Sequence, residues 1–219
     1  MSTQQLISNT IPALSPSDTI GKALALFEEQ KVMHLPIVAE DEYVALVSED
    51  ALLEAGDDSI PMSDSGMLSF RPAMSALSHP FEAFSIMHDA RLDVLPVTDA
   101  EQKYLGCITR ETLLDYFALN SGLNTPGGMI VLDILPRNYS LYEIARICEN
   151  EDMSVLGMWM NNTDHGTLRV TLKLNRQVLD AVVASFTRHS YQVLAVYGRE
   201  SDKEDIMSNY NLLMNYINM

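Results

Sequence analysis

The segment Leu35-Pro36-Ile37-Val38 returns sixty residues later as Leu95-Pro96-Val97, and that interval decides how the front of the chain is read. Extending the overlay outward, residues 11–38 lie on residues 71–98. Pro12-Ala13 falls on Pro72-Ala73, Ser15 on Ser75 and Ala23 on Ala83. Conservative pairs fill the gaps: Leu14 with Met74, Leu26 with Ile86, Lys31 with Arg91, Ile37 with Val97. One extra residue in the next loop then sets Ala45-Leu46-Val47-Ser48 on Gly106-Cys107-Ile108-Thr109, and Leu52-Leu53 on Leu113-Leu114. Matches that keep both spacing and chemical class mark an internal duplication.

Each copy predicts the same local structure. Ile20, Ala23, Leu24 and Phe27, and in the second copy Pro80, Ala83, Phe84 and Met87, recur at the spacing that puts one helix face on a core. Asp18 or Thr19 caps the first of these helices, and Pro80 suits the first turn of the second. A short extended segment carrying Leu-Pro follows, then a turn, a second strand and a closing helix. The predicted order is strand–helix–strand–strand–helix, twice.

These two copies resemble CBS domains, whose tandem pairs pack head to tail around two clefts. The resemblance covers about residues 1–120 and rests on the strand ending in Leu-Pro and on Gly106-Cys107-Ile108-Thr109 closing the later strand. It implies clefts that take adenosine-containing ligands: AMP, ADP, ATP or S-adenosylmethionine, as a regulatory ligand rather than a required cofactor. By the same resemblance Ser48 and Thr109 meet phosphate, and an Asp three residues on holds the ribose. Those Asp positions are Ala51 and Thr112 here, so neither copy keeps the carboxylate and its charge-assisted bonds. Glu49 and Asp50 crowd the first cleft with negative charge, whereas Arg110 follows Thr109 in the second, which is the better phosphate site. His34 stands two before Pro36, and either donates to an anion or is a partly exposed residue at a strand start. Ser48 and Thr109 also read as helix caps, a role compatible with ligand contact. The implied ligand-binding set is Ala13, His34, Pro36 and Ser48, with Ala73, Pro96, Thr109, Arg110 and Thr112.

Residues 57–69 are polar with Pro and Gly, and read as the linker between CBS domain 1 (1–56) and CBS domain 2 (70–121). Turn formers at 120–128 mark a sharper break, with a linker at 122–127. Beyond it the pattern is strand, a helix with Leu141, Ile144, Ala145 and Cys148 behind the cap Ser140 with Glu143 three residues on, and a strand. An alternating strand follows (Leu168, Val170, Leu172, Leu174 against Arg169, Thr171, Lys173), then a helix with Leu179, Val182, Val183 and Phe186, and a last strand to Tyr197. The order βαββαβ is ferredoxin-like, and residues 128–199 resemble an ACT domain. That family favours Gly just before the first helix, where this chain has Tyr139, which crowds an amino-acid ligand. A CBS pair with a trailing ACT-like domain resembles acetoin-utilisation-type regulatory proteins. Residues 200–219 predict a terminal helix with the stripe Ile206, Tyr210, Leu213 and Ile217, facing its own domain or a partner chain. The expected fold class is thus α+β: a CBS pair, a ferredoxin-like domain and a helix.

Composition narrows the function. The 219 residues carry 14 Lys plus Arg against 30 Asp plus Glu, a formal charge of −16, which disfavours nucleic acid and anionic membranes as partners. With 47% apolar residues the chain buries a sizeable core. No signal peptide and no membrane-length apolar run is expected, and Cys107 and Cys148 read as buried reduced thiols, so a cytoplasmic site is expected. Five histidines show no metal-ligand spacing, and no nucleophile, phosphate-loop or dinucleotide motif occurs. An enzyme is not expected. Two readings remain: a regulatory sensor of a small ligand acting on a protein target, homodimeric by the habit of the resembled family, or a ligand-independent dimerisation module with degenerate clefts. A third, amino-acid sensing, belongs to the ACT-like domain.

Overall fold

The computed structural model describes residues 3–199, so the stripe Ile206, Tyr210, Leu213 and Ile217 of the expected terminal helix lies outside the described residues. The chain divides into two compact units, Met1–Phe117 and Ala118–Met219. In the first, the elements are α1 (Ile20–Gln30), β1 (His34–Ala39), β2 (Glu42–Ser48), α2 (Glu49–Ala55), β3 (Met74–Ser75), α3 (Pro80–Asp89), β4 (Val94–Thr98), β5 (Tyr104–Thr109) and α4 (Arg110–Asn120). The opening strand of each copy is short. Copy 1 has one parallel bridge, Leu14 to Ile37, and copy 2 has two residues, Met74 opposite Val97 and Ser75 opposite Thr98. These are the same positions sixty residues apart.

Local chemistry explains the boundaries. Thr19 caps α1, its hydroxyl accepting from the Lys22 N–H at 3.3 Å, while Asp18 accepts from the Ser15 N–H and pairs with Lys22 at 2.7 Å. Cap and neighbour thus divide the work that either alone was expected to do. Lys31 and Arg91, aligned across the duplication, both take φ 55° as the chain leaves the first helix of each copy. Ile20, Ala23 and Phe27, like Pro80, Ala83 and Met87, are buried.

The copies are related as a twofold axis would relate them. The Tyr104 N–H donates to the Asp41 carbonyl at 2.8 Å, and the matching Tyr43 N–H donates to the Gln102 carbonyl at 3.4 Å. The segment before each copy crosses to the other: Ser8 exchanges two bonds with Cys107 (2.8 and 3.0 Å), and the Leu46 N–H donates to the Phe70 carbonyl at 2.9 Å. Leu35 and Leu95 are fully buried, and Pro36 and Pro96 face Leu46 and Cys107, themselves aligned residues. Side chains also trade places: Val94 and Cys107 join the core of copy 1, Tyr43 and Leu46 that of copy 2. Gly106 makes the crossing fit. It holds φ 133°, and a Cβ there would stand 2.5 Å from Asn9 Oδ1 and from Ile7 Cγ2. The segment 57–69, read as a polar linker, is partly core: Met62 is fully buried, and the Met62 N–H donates to the Asp18 carbonyl at 2.8 Å.

The second unit holds β6 (Met129–Ile134), α5 (Leu141–Asn150), β7 (Val155–Asn162), β8 (Leu168–Leu174), α6 (Asp180–Arg188) and β9 (Gln192–Tyr197). Its sheet runs β7-β8-β6-β9, antiparallel throughout, which is the ferredoxin-like strand order. Ile130, Leu132, Val170, Leu172 and Leu174 line one sheet face, against Ile144, Ile147, Cys148, Val182 and Phe186 from both helices. The α5 stripe is turned slightly from the expected one, with Ile147 buried and Leu141 exposed in the first turn. The Glu143 carboxylate accepts from Arg146 at 3.4 Å. Lys173, expected on a wet face, is buried, its ammonium donating to the Gly127 carbonyl at 3.2 Å. Gly127 is itself packed rather than loose: a Cβ there would overlap the Leu174 carbonyl oxygen. Among the described residues no helix is long and apolar enough to cross a membrane.

Candidate ligand site

Each copy gathers its own candidate residues at one end of its strands. In copy 1, the Leu14 N–H donates to the Pro36 carbonyl at 2.8 Å, which places Ala13 beside Pro36, and His34 lies directly across β1–β2 from Ser48. In copy 2, Met74 pairs with Val97, which brings Ala73 to Pro96, and Val94 lies across from Thr109.

The hydroxyls are engaged with the helices that follow. Ser48 caps α2, accepting from the Ala51 N–H at 3.3 Å. Thr109 accepts from the Thr112 N–H at 3.1 Å, and the two threonine hydroxyls are 2.9 Å apart. Where the resembled family places a carboxylate, copy 2 thus presents a pair of hydroxyls at the start of a helix, and copy 1 presents the methyl of Ala51. The first turn of α2 holds Glu49 and Asp50, against Glu111 alone in α4. An anion meets less repulsion at α4.

Two of the candidate residues have protein partners that the sequence reading did not name. Arg110, expected beside Thr109, donates to the Leu92 carbonyl at 3.1 Å and lines a hollow with His88 and Arg91. His34 is bound across the axis: its Nδ1 lies 2.6 Å from Asp93 Oδ1, and Asp93 Oδ2 accepts from the Met33 N–H at 2.6 Å. Burial raises the Asp93 carboxyl, but the bonds from His34 and the Met33 N–H, with the nearby imidazole, outweigh it and hold the group below its ordinary 3.8. Asp93 was not singled out from the sequence. The signal was present, since it aligns with Met33 and an axis brings aligned positions face to face.

Near the axis, burial pushes the Tyr43 and Tyr104 phenols upward and Cys107 up to about 11, the Tyr104 hydroxyl lying 3.0 Å from its sulfur. Cys148 is likewise raised to about 11 by burial. Both cysteines are buried free thiols and poor nucleophiles near neutrality. Among the described residues no group of His, Cys, Asp or Glu is placed to hold a metal ion.

The second unit has a cavity of about 510 Å³ between the β6–α5 and α6–β9 turns, lined by Asp133, Arg137, Tyr139, Ser140, His189 and Gln192 among others. Tyr139 adopts φ −71°, an ordinary extended backbone, so no glycine is required there. Ser140 caps α5, as its position predicted.

Comparison with known proteins places these copies. The CBS domain family model matches residues 4–58 and 77–119, one stretch in each copy of the duplication. An inosine-5'-monophosphate dehydrogenase from Methanocaldococcus jannaschii is 25% identical over 111 residues, covering 50% of this chain and 22% of that enzyme. The chain therefore spans about a fifth of that relative. The crystal structure of CBSX2 in complex with AMP, a protein known from Arabidopsis thaliana, matches with a TM-score of 0.48 at 20% identity, over 54% of this chain and 96% of that one. The acetoin utilization protein AcuB of Vibrio cholerae matches with a TM-score of 0.47 at 21% identity, over 55% of this chain and 91% of that one.

Proposed function

We propose that the chain is a non-catalytic regulatory module whose second CBS copy takes an adenosine nucleotide, the ligand class that the CBS resemblance implies. The observation that carries this reading is the Thr109–Thr112 hydroxyl pair at the start of α4, within a tandem CBS pair. The start of an eleven-residue helix carries partial positive charge that favours an anion, although the Arg110 N–H already donates to the Asp93 carbonyl and the Thr112 N–H to the Thr109 hydroxyl, and the hydroxyls add short, neutral partners for phosphate or ribose. The first cleft is the weaker candidate, because His34 is tied to Asp93 and α2 opens with two carboxylates. Bound between the copies, a ligand biases a partner protein only insofar as it prefers one arrangement of the copies over another. The C-terminal unit is read as ACT-like from its strand order.

Thermal shift and calorimetry with AMP, ADP, ATP and S-adenosylmethionine test the reading. A ligand at 100 times its dissociation constant stabilises the fold by ~2.7 kcal/mol. Thr109→Val should weaken binding more than Ser48→Ala. No shift with any of the four at millimolar concentration would leave the rival reading, a ligand-independent module, in its place. The 510 Å³ cavity favours amino-acid sensing by the second unit as a further reading, which a panel of free amino acids in the same assay decides.

A further inference from the structure

The groups that hold Asp93 form an anion cradle on copy 1. Each carboxylate oxygen has its own partner there: Oδ1 lies 2.6 Å from His34 Nδ1, and Oδ2 accepts from the Met33 N–H at 2.6 Å. A carboxylate held in its ionised form only accepts, so Nδ1 carries the proton and the cradle consists of two N–H donors. It lies on the side of β1 that carries the first cleft. His34 and Ser48 are opposed across β1 and β2, and opposed residues of antiparallel strands share a face, with Cβ atoms roughly 5 Å apart. The aligned positions of the duplication are filled differently. Val94, fully buried, stands in place of His34, and Met33, 48% exposed, stands in place of Asp93. The second cleft thus has an apolar side chain and a thioether at the positions where the first has a donor and a carboxylate.

We infer that Asp93 is an internal ligand: a carboxylate from copy 2 that fills the anion position of the first cleft and thereby directs nucleotide to the second. For its ligand class this role rests on the nucleotide reading proposed above. A phosphate that takes the His34 ring and the Met33 N–H must displace Asp93, and in doing so it breaks both of the bonds that Asp93 makes across the axis. The first cleft therefore accepts a ligand only in the fraction of molecules in which Asp93 has swung away, and its apparent affinity is reduced by that fraction. Displacement and the loosening of the two copies are one event, so a ligand strong enough to enter the first cleft also changes how the copies are tied.

Asp93→Met gives both copies the same residue and removes the internal carboxylate, while Asp93→Asn keeps its shape without the charge. Inorganic pyrophosphate, titrated into the full chain and read at the His34 ring by NMR, probes the cradle without any nucleotide. In the Asp93→Met chain the ring signal should respond at concentrations about tenfold or more below those the wild type requires. Asp93→Asn should fall between the two, which separates an emptied cradle from a misfolded one. Calorimetry with AMP then counts sites: one per wild-type chain and two per Asp93→Met chain, the added site being lost again in Asp93→Met with His34→Ala. A His34 signal that answers pyrophosphate equally in wild type and Asp93→Met, or in neither, overturns the inference. One AMP site in both chains also overturns it and leaves the second-cleft reading intact. No AMP site in the wild type and one in Asp93→Met does the reverse, and AMP binding to neither chain removes both.

Discussion

Asp93 has no polar counterpart in the first copy, where Met33 holds its place, and this asymmetry adds a side-chain bond between the two copies. Its two oxygens take one bond from the His34 ring and one from the Met33 N–H, each 2.6 Å long, in surroundings that expose only 12% and 14% of the two side chains. Burial works against the charge, and the hydrogen bonds and the imidazole win, leaving the carboxyl below 3.8. The sign of the pH effect follows. A group whose folded value is depressed stabilises the fold fully above its unfolded value and loses that contribution as pH falls through the folded value. The stability of the wild type, followed by urea unfolding, should therefore fall more steeply below about pH 4 than that of Asp93→Asn. Parallel curves would show that the pair contributes nothing to the junction. The sequence made His34 legible as a residue of interest, because it stands beside the Leu-Pro landmark. It left His34 a choice between anion donor and surface residue, and the actual partner lies 59 positions away. Arg110 is the converse case. Its place next to Thr109 in sequence suggested a phosphate contact, and in the structure its guanidinium donates to the Leu92 carbonyl, 18 residues back, a partner that no local pattern announces.

At the scale of elements, capping decides where helices begin, and here local sequence carried most of the information. The Thr19 hydroxyl meets the Lys22 N–H, and His79 closes a full capping box, its ring accepting from the Phe81 N–H and the Glu82 carboxylate from the His79 N–H. Thr19→Ala should cost about 1 kcal/mol of stability, the usual loss for such a cap, and Thr19→Ser much less. Thermal denaturation of the two variants checks this, and equal losses would mean that the adjacent Asp18 is the true anchor of α1. The parts that sequence pattern misread are those whose burial depends on distant chain. Gly127 has the composition of a linker, yet it packs on the Leu174 carbonyl, and its own carbonyl accepts from the buried Lys173 ammonium. Residues 57–69 read as polar, yet Met62 sits beneath α1 through the Asp18 carbonyl. Neither contact has a period or a motif, because each is set by where another segment happens to pass.

For the molecule as a whole, the duplication was the most legible feature. Aligned residues form aligned bonds: Glu49 N–H to the Met33 carbonyl at 3.0 Å, and Arg110 N–H to the Asp93 carbonyl at 2.9 Å. What repetition could not reveal is where the copies stop being alike, and the charge exchange between Glu49 and Arg110 is one such place. The buried clusters divide cleanly. Two draw every member from the front unit, with residues exchanged between the copies, and the third draws every member from residues 130–191. Phe27 and Phe186 are the largest fully buried side chains, one in each unit. Truncating a buried Phe to Ala costs roughly 3–5 kcal/mol through lost transfer energy and the cavity left behind. Because the copies of the front unit share side chains across their junction, Phe27→Ala should raise amide exchange throughout the front unit, including β4 and β5 in the copy it does not belong to. Phe186→Ala should do the same across β6 to β9 and leave β1 to β5 protected. Hydrogen exchange on the full chain reads both variants in one experiment. Exchange confined to copy 1 in the Phe27→Ala chain would mean that the two copies open independently, and a relation between copies that loose could not convert a bound ligand into a change felt elsewhere.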